Sequence, residues 1–450
     1  MSDVTGRTPR LSLEQVTFLL IAGVAVVLPT AFAVIPAVSW YRVAFIFALQ
    51  VMLLGAASVG GVRAAMGPRT RMVFAVALGL AAWMLVVDLA QNSFLQGMQD
   101  FLANVTIIAL LPIGSVLRTK FWWRVKAVLA LSVVPLAFGY AQLLTTKAQL
   151  DQLVPPNPIL KFDMTDRITT YLETTSRIVG TSSQAIGFST ILAIVVIGGF
   201  AAWRRGMGMW PLLLAAAAAI LTPMTYTRSL VLGLLPSLLL GIVIARPSVK
   251  RIAVSLVVLL LASVLIVGVL LPSLSTVDER MNKIDDNNTL VKLTSNLYGV
   301  EFALRASPVW GIPKLQLLEA VTSMYREGDL PTGVSIDSLL TNHNQFGYVL
   351  RFYGAVGLAL LLWLCVTFFR LIAGMRDEWS RALLYGTLIF LIQFSLLHNT
   401  FLIGVPVFWL LIAGVEEEPE LWRRLKAPDL VTSPSQDALL LTAGGPSASE

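Results

Sequence analysis

Apolar residues in this chain come in long unbroken runs, many of 18 residues or more, separated by short polar interruptions. Runs of that length predict membrane-spanning helices. Strands of a membrane barrel would instead alternate polar and apolar positions over about 10 residues. The pattern predicts about twelve spans, over 15–36, 38–59, 72–91, 101–117, 125–145, 183–202, 208–225, 229–245, 252–273, 346–369, 382–397 and 401–415. Some are short for a perpendicular crossing of about 30 Å, which local bilayer thinning accommodates. The run Phe18–Val34 is followed by Pro36 and a second apolar run, so it is expected to remain as a span and not to be cleaved. One long polar interval breaks the pattern, from about Leu271 to Phe352. It closes on Thr341-Asn342-His343-Asn344-Gln345-Phe346-Gly347, where the next apolar run begins. The resulting organisation is an N-terminal segment over 1–14, nine spans over 15–273, a loop over 274–345, three spans over 346–415 and a tail over 416–450.

Charge orients these spans. One alternate set of interruptions carries Arg7 and Arg10; Arg63, Arg69 and Arg71; Arg118, Lys120, Arg124 and Lys126; Arg204 and Arg205; Arg246, Lys250 and Arg251; Arg370, Arg376 and Arg381; and Arg423, Arg424 and Lys426. In the other set, which includes 92–100, 146–182, 226–228 and 274–345, acids and polar residues largely balance the bases. The positive-inside rule then puts both termini in the cytoplasm and the long polar interval outside the membrane. Within that interval Asp278–Lys283 can start a helix and Asn296–Arg305 has helical apolar spacing. Pro308-Val309-Trp310-Gly311-Ile312-Pro313 breaks the helix, and Leu315–Tyr325 reads as a second amphipathic one. The other long outer segment, 146–182, contains Pro155-Pro156-Asn157-Pro158 and an interfacial helix candidate over Asp166–Arg177. The tail after Lys426 is rich in Ser, Pro, Ala and Gly, a composition that favours disorder.

Composition agrees with the pattern. Of 450 residues 56% are hydrophobic and 13% charged, against about 25% charged in soluble domains. The formal net charge of +7 is accounted for by the loop bases, and no basic-aromatic nucleic-acid motif accompanies it. A single cysteine, Cys365, and two histidines exclude an internal disulfide and a Cys- or His-cluster metal site. No glycine-rich phosphate loop opens a helix after a strand. The adjacent acids Asp285 and Asp286 are not spaced for ligation, so no metal or other cofactor is expected.

A few polar residues stand where the membrane pattern does not explain them. Arg228, in Met224–Leu235, lies on the outer side in a very short turn. Its guanidinium fork matches phosphate oxygens, or it snorkels to the interface. His343, flanked by Asn342 and Asn344, can exchange a proton near neutral pH; both asparagines also suit a helix N-cap. Arg351 follows His343 by eight residues, about two helical turns, and so shares its face if the helix extends back that far. An arginine inside a span faces a partner or a cavity, here either a phosphate or a carboxylate such as Asp88. Lys292 and Arg305 in the outer loop, Arg42 at the outer start of the second span, and His398 with Asn399 at the outer end of the eleventh complete the set.

The arrangement of an arginine after the seventh span, one long outer loop before the tenth and a His-Asn pair closing that loop resembles the O-antigen ligase/polymerase superfamily. The residues carrying the resemblance are Thr227-Arg228-Ser229 before a leucine-rich span, the turn Ala306-Ser307-Pro308-Val309-Trp310-Gly311, and His343-Asn344 followed by Gly354-Ala355-Val356-Gly357-Leu358. They cover roughly the second half of the chain. The resemblance implies an all-α polytopic membrane protein of the GT-C type: an inverting, metal-independent glycosyltransferase of the bacterial inner membrane with a long, partly helical periplasmic loop. It implies transfer of a glycan from undecaprenyl diphosphate to a lipid A-core sugar, in lipopolysaccharide biosynthesis. A polysaccharide polymerase and a protein O-oligosaccharyltransferase share the donor chemistry. By resemblance Arg228 holds the donor diphosphate, and His343 orients or deprotonates the acceptor hydroxyl or contacts the phosphate. Lys292 or Arg305 supplies a loop cation where the family often has an arginine. Arg351 and Phe352 occupy the region where the family often carries an acid. A lipid or solute transporter is the reading from a different class, and it requires discontinuous helices with charges along a path through both leaflets.

Overall fold

The computed structural model describes residues 11–27, 66–91, 94–117, 119–144, 185–225, 228–265, 307–313, 344–397 and 404–415, with single positions between 316 and 326. Of the sequence-derived features, the span at 38–59, the segment 146–182, the tail, and the residues Arg42, Lys292, Arg305, His343 and His398 lie outside this set. The described residues are predominantly helical, and no strand occurs among them. The helices are α1 Leu13–Val27, α2 Pro68–Gln91, α3 Phe94–Ile108, α4 Leu110–Val116, α5 Phe121–Leu131, α6 Val133–Leu144 and α7 Ala185–Arg204. They continue with α8 Trp210–Leu221, α9 Arg228–Ala245, α10 Val249–Leu265, α11 Gln345–Ala373, α12 Glu378–Leu397 and α13 Pro406–Ile412. Each falls on an apolar run read from the sequence. Among the described residues five stretches are long and apolar enough to cross a membrane: Pro68–Gln91, Phe121–Gln142, Gly187–Arg204, Gln345–Ala373 and Glu378–Leu396.

Local signals fix the helix ends. Ser12 and Gln15 form a reciprocal capping box at α1, each side chain accepting the other's backbone N–H at 3.2 and 3.0 Å. Proline opens α2 and α13 and lies in the first turn of α8, where no intrahelical N–H is needed. Asp377 caps α12, its Oδ2 accepting the Ser380 N–H at 2.8 Å.

The pairs α9/α12, α7/α12 and α2/α11 run antiparallel, whereas α1 and α5 run parallel, with Phe18 against Trp123 and Gly23 against Leu131. The pair α9 and α12 make the most extensive contact, α7 packs on α8 and α12, α11 on α2, α2 on α3, α1 on α5, and α4 on α13. Register along α9 and α12 is set at three levels: Arg246 pairs with Glu378, Gly241 meets Gly386, and Ser237 donates to Gln393 at 3.3 Å. A Cβ on Gly241 would overlap the α12 backbone, so the two helices approach as closely as small residues allow. Large apolar side chains nevertheless remain on the outer surface, including Leu213, Ile220, Leu256 and Leu362. A soluble monomer rarely leaves such surface uncovered, whereas a protein solvated by lipid does.

Basic and acidic side chains gather at one end of this bundle. Arg205 pairs with Asp377 at 3.1 Å, Arg246 with Glu378 at 3.2 Å, and Arg251 also reaches Glu378. Trp122 donates to Asp377 at 3.1 Å, and Arg69 donates to the Arg370 carbonyl at 3.3 Å. Five of the sequence interruptions predicted to share one side therefore meet in space.

Several members of that basic set lie within helices, and one of these is deeply buried. Arg124 lies inside α5 and is 2% exposed. Its Nε donates to the Thr119 carbonyl and hydroxyl at 3.1 and 2.8 Å. One terminal nitrogen reaches the Leu410 carbonyl at 3.2 Å, and the other reaches those of Gly114 and Leu117 at 2.6 and 2.8 Å. The Phe18 ring lies 5.4 Å from the guanidinium. This arginine ties α4, α5 and α13 together through carbonyls near helix ends, where the backbone dipole favours a cation. Loop charge counts could not reveal this, because they treat every base near a span end alike.

Candidate functional site

The opposite end of the bundle contains the start of α11, and its residues explain the local geometry. Asn344 has extended backbone (φ −123°, ψ 122°), and its Oδ1 accepts the N–H groups of Phe346 and Gly347 at 2.9 and 3.3 Å. These are orphan donors of a helix N-terminus. The helix therefore begins at Gln345, and His343 precedes the cap. The condition on which His343 and Arg351 would share a helical face is not met: the eight-residue spacing holds only along continuous helix, and the helix starts after its cap at Asn344. Asn344 itself has the capping role that its position allowed, with its carbonyl oxygen committed to the backbone.

Nine residues into α11 the helix breaks. Gly354 has φ 67° and ψ −171°, a region essentially restricted to glycine. The segment Ser307–Pro313 docks at this break. Ile312 N donates to the Arg351 carbonyl at 2.7 Å, and Ala355 N donates to the Pro308 carbonyl at 2.8 Å. In an unbroken helix Ala355 N would bond to the carbonyl of Arg351; here the turn supplies a partner to each. Gly311 (φ 78°) lies against the Phe352 backbone, and the Val309 carbonyl takes the space a Cβ on Gly354 would need. The proline-glycine turn and the glycine of the span, separate signals in the sequence, are one joint in the structure.

Aromatic and polar contacts from α2 brace the joint. Trp83 stacks on Trp310 with ring centroids 5.0 Å apart, and its Nε1 donates to the Tyr353 carbonyl at 2.9 Å. The Tyr353 hydroxyl donates to Asp88 Oδ2 at 3.1 Å. Asp88 is 1% exposed, so this hydroxyl helps satisfy a carboxylate removed from water. The sequence offered Asp88 as a partner for Arg351; the partner seen for this carboxylate is Tyr353. Trp83 and Tyr353 were missed because a tryptophan and a tyrosine in apolar runs give no signal of their own. Only the glycine immediately after Tyr353 marked the place.

Arg351 is 2% exposed in the first segment of α11. At low dielectric a guanidinium acts on nearby negative charge far more strongly than in water. Arg228 is the first residue of α9. Because α9 and α11 both run antiparallel to α12, the starts of α9 and α11 and the end of α12 lie at the same end of the bundle, opposite the Asp377 and Glu378 cluster. Arg228, Asn344 and Arg351 are thereby brought to one end. His343 directly precedes the described start of α11, and His398 directly follows the end of α12. Among the described residues no three of His, Cys, Asp or Glu converge as a metal site. Comparison with protein families and with curated proteins finds no match.

Proposed function

We propose that this chain is a membrane-embedded glycosyltransferase that moves a glycan from a polyprenyl diphosphate to a hydroxyl acceptor, in the manner of an O-antigen ligase acting on lipid A-core. The observation that carries the reading is the joint at Gly354. The turn Ser307–Gly311 and the span after His343-Asn344, two of the three motifs behind the resemblance, are bonded to each other at the end where α9 begins with Arg228.

The chemistry suits such an end of the molecule. A lipid diphosphate leaves with its charge at the membrane interface, so the protein must supply preorganised cations there. Arg228 holds the diphosphate, Arg351 adds a second positive charge, and Lys292 or Arg305 supplies a third from the loop. His343, outside the helix and next to its cap, serves the acceptor hydroxyl, with Asn344, His398 and Arg42 as further substrate contacts. The remaining rate enhancement comes from holding two bulky substrates in line and keeping water from the donor. The twelve spans, cytoplasmic termini and outward-facing site in a bacterial inner membrane belong to this proposal.

A broken helix is also a feature of transporters. Here the turn Pro308–Ile312 fills two of the opened backbone positions, and the buried Arg124 at the other end is bonded to carbonyls. Both features favour a fixed scaffold over a translocation path.

The test is glycan analysis of a deletion strain complemented with variants. Loss of long chains from lipid A-core, with polymer still lipid-linked, is expected. A core bearing one repeat unit would instead identify a polymerase. Arg228→Ala is expected to reduce transfer by about 10²–10³-fold, the effect of removing one preorganised group that stabilises developing charge, and His343→Ala to abolish attachment. Intact attachment in both variants would sink the site assignment.

A further inference from the structure

The basic end, away from the proposed reaction, holds a cavity. Between α2 and α11 this cavity of about 240 Å³ is lined by Arg69, Met72, Thr367, Arg370 and Ala373. Among its described lining residues are two arginines and no acid. Three arginines at this end meet acids of the protein: Arg205 meets Asp377, and Arg246 and Arg251 meet Glu378. Arg69 is drawn in by geometry. Its Nη1 donates to the Arg370 carbonyl, and Gly374, lacking a Cβ, leaves room for the guanidinium over the end of α11.

The cavity adjoins exposed apolar positions of both helices. Leu362, Val366, Arg370 and Ala373 recur at three- and four-residue spacing on α11, and all are exposed. Met72, Ala75, Gly79 and Val86 form the matching exposed line on α2. Two apolar lines therefore lead to two positive charges where both helices end. Such a site fits a molecule with a negative head and hydrocarbon tails, and basic pockets at one end of transmembrane helices bind anionic lipid headgroups. We infer that the cavity between α2 and α11 holds the phosphate of an anionic phospholipid, with its acyl chains along the exposed faces of both helices. This inference is independent of the proposed transferase activity.

Binding is tested on the purified full-length protein in neutral detergent, titrated with phosphatidylglycerol, with phosphatidylcholine of the same chains, and with inorganic phosphate. Phosphatidylglycerol is expected to bind, while the other two do not compete for the site. Arg370→Gln should weaken binding about fivefold and the double variant Arg69→Gln/Arg370→Gln about 30-fold, following the usual value of one interfacial base. Lys250→Gln, an exposed base at the same end but outside the cavity, should leave it unchanged. Because Arg69 also bonds the end of α11, the Arg370→Gln variant with unchanged helix content by circular dichroism decides the matter alone. Equal binding of phosphatidylcholine, equal binding of free phosphate, or an equal loss in Lys250→Gln would each overturn the inference.

Discussion

At Gly354 a single hydrogen atom in place of a side chain decides the course of α11. Any Cβ there meets the Val309 carbonyl, and the φ of 67° is itself closed to other residues. Gly354→Ala is expected to cost about 1–3 kcal/mol from the backbone alone and to expel the Pro308–Ile312 turn. Amide hydrogen exchange reads the outcome: Ile312 and Ala355, bonded across the joint, should lose protection while the middle of α12 keeps it. Unchanged protection at both amides would show that the turn does not depend on the glycine. The sequence made this residue visible only as part of a glycine-containing motif. Its role depends on a partner some 45 residues earlier, and local patterning carries no such information. The same limit applies to Arg124, whose neighbours Lys120 and Lys126 look alike in sequence. Asn344 was legible, because capping is a local property of a polar residue before an apolar run.

Elements were easier to read than joints. Long apolar runs became helices because a lipid-facing backbone must satisfy its own hydrogen bonds. Their internal bends were not read. The run 101–117 is divided at Ala109 between α3 and α4, and the run 346–369 is broken at Gly354. A break costs backbone bonds, and only tertiary contacts such as the docked turn restore them. Pairing was likewise out of reach, since the small residues that allow close helix approach occur throughout the chain. The α9 and α12 crossing shows what is at stake. Gly241→Leu forces a side chain into the Ala382 and Gly386 backbone and is expected to cost about 3 kcal/mol, the upper end for overpacking. Thermal unfolding in detergent should show the loss, with Leu240→Ala on the exposed side of α9 as the tolerated comparison. Equal behaviour of the two variants would mean that the helices separate without penalty.

For the molecule as a whole, the division into two ends is the property on which the proposed function depends. Loop charge predicted it, and the ion pairs at Asp377 and Glu378 give it a spatial form. If the ends face opposite sides of a membrane, a membrane-impermeant maleimide should reach them separately. In a Cys365→Ala background, which removes the only cysteine, Val309→Cys and Val249→Cys are both exposed positions. The first should label from outside intact cells and the second only after permeabilisation. Labelling of both from the same side would overturn the topology.

The buried Arg124 carries a further consequence, one that concerns time. Its bonds to Gly114, Leu117 and Thr119 can form as soon as α5 is made, but the Leu410 carbonyl follows 286 residues later. A nascent chain therefore holds this cation one partner short until α13 arrives. The arginine thus acts as a clasp that closes only once α13 is in place. A chain stopped before Pro406 leaves the clasp open and presents an under-coordinated charge to the machinery that inspects new membrane proteins.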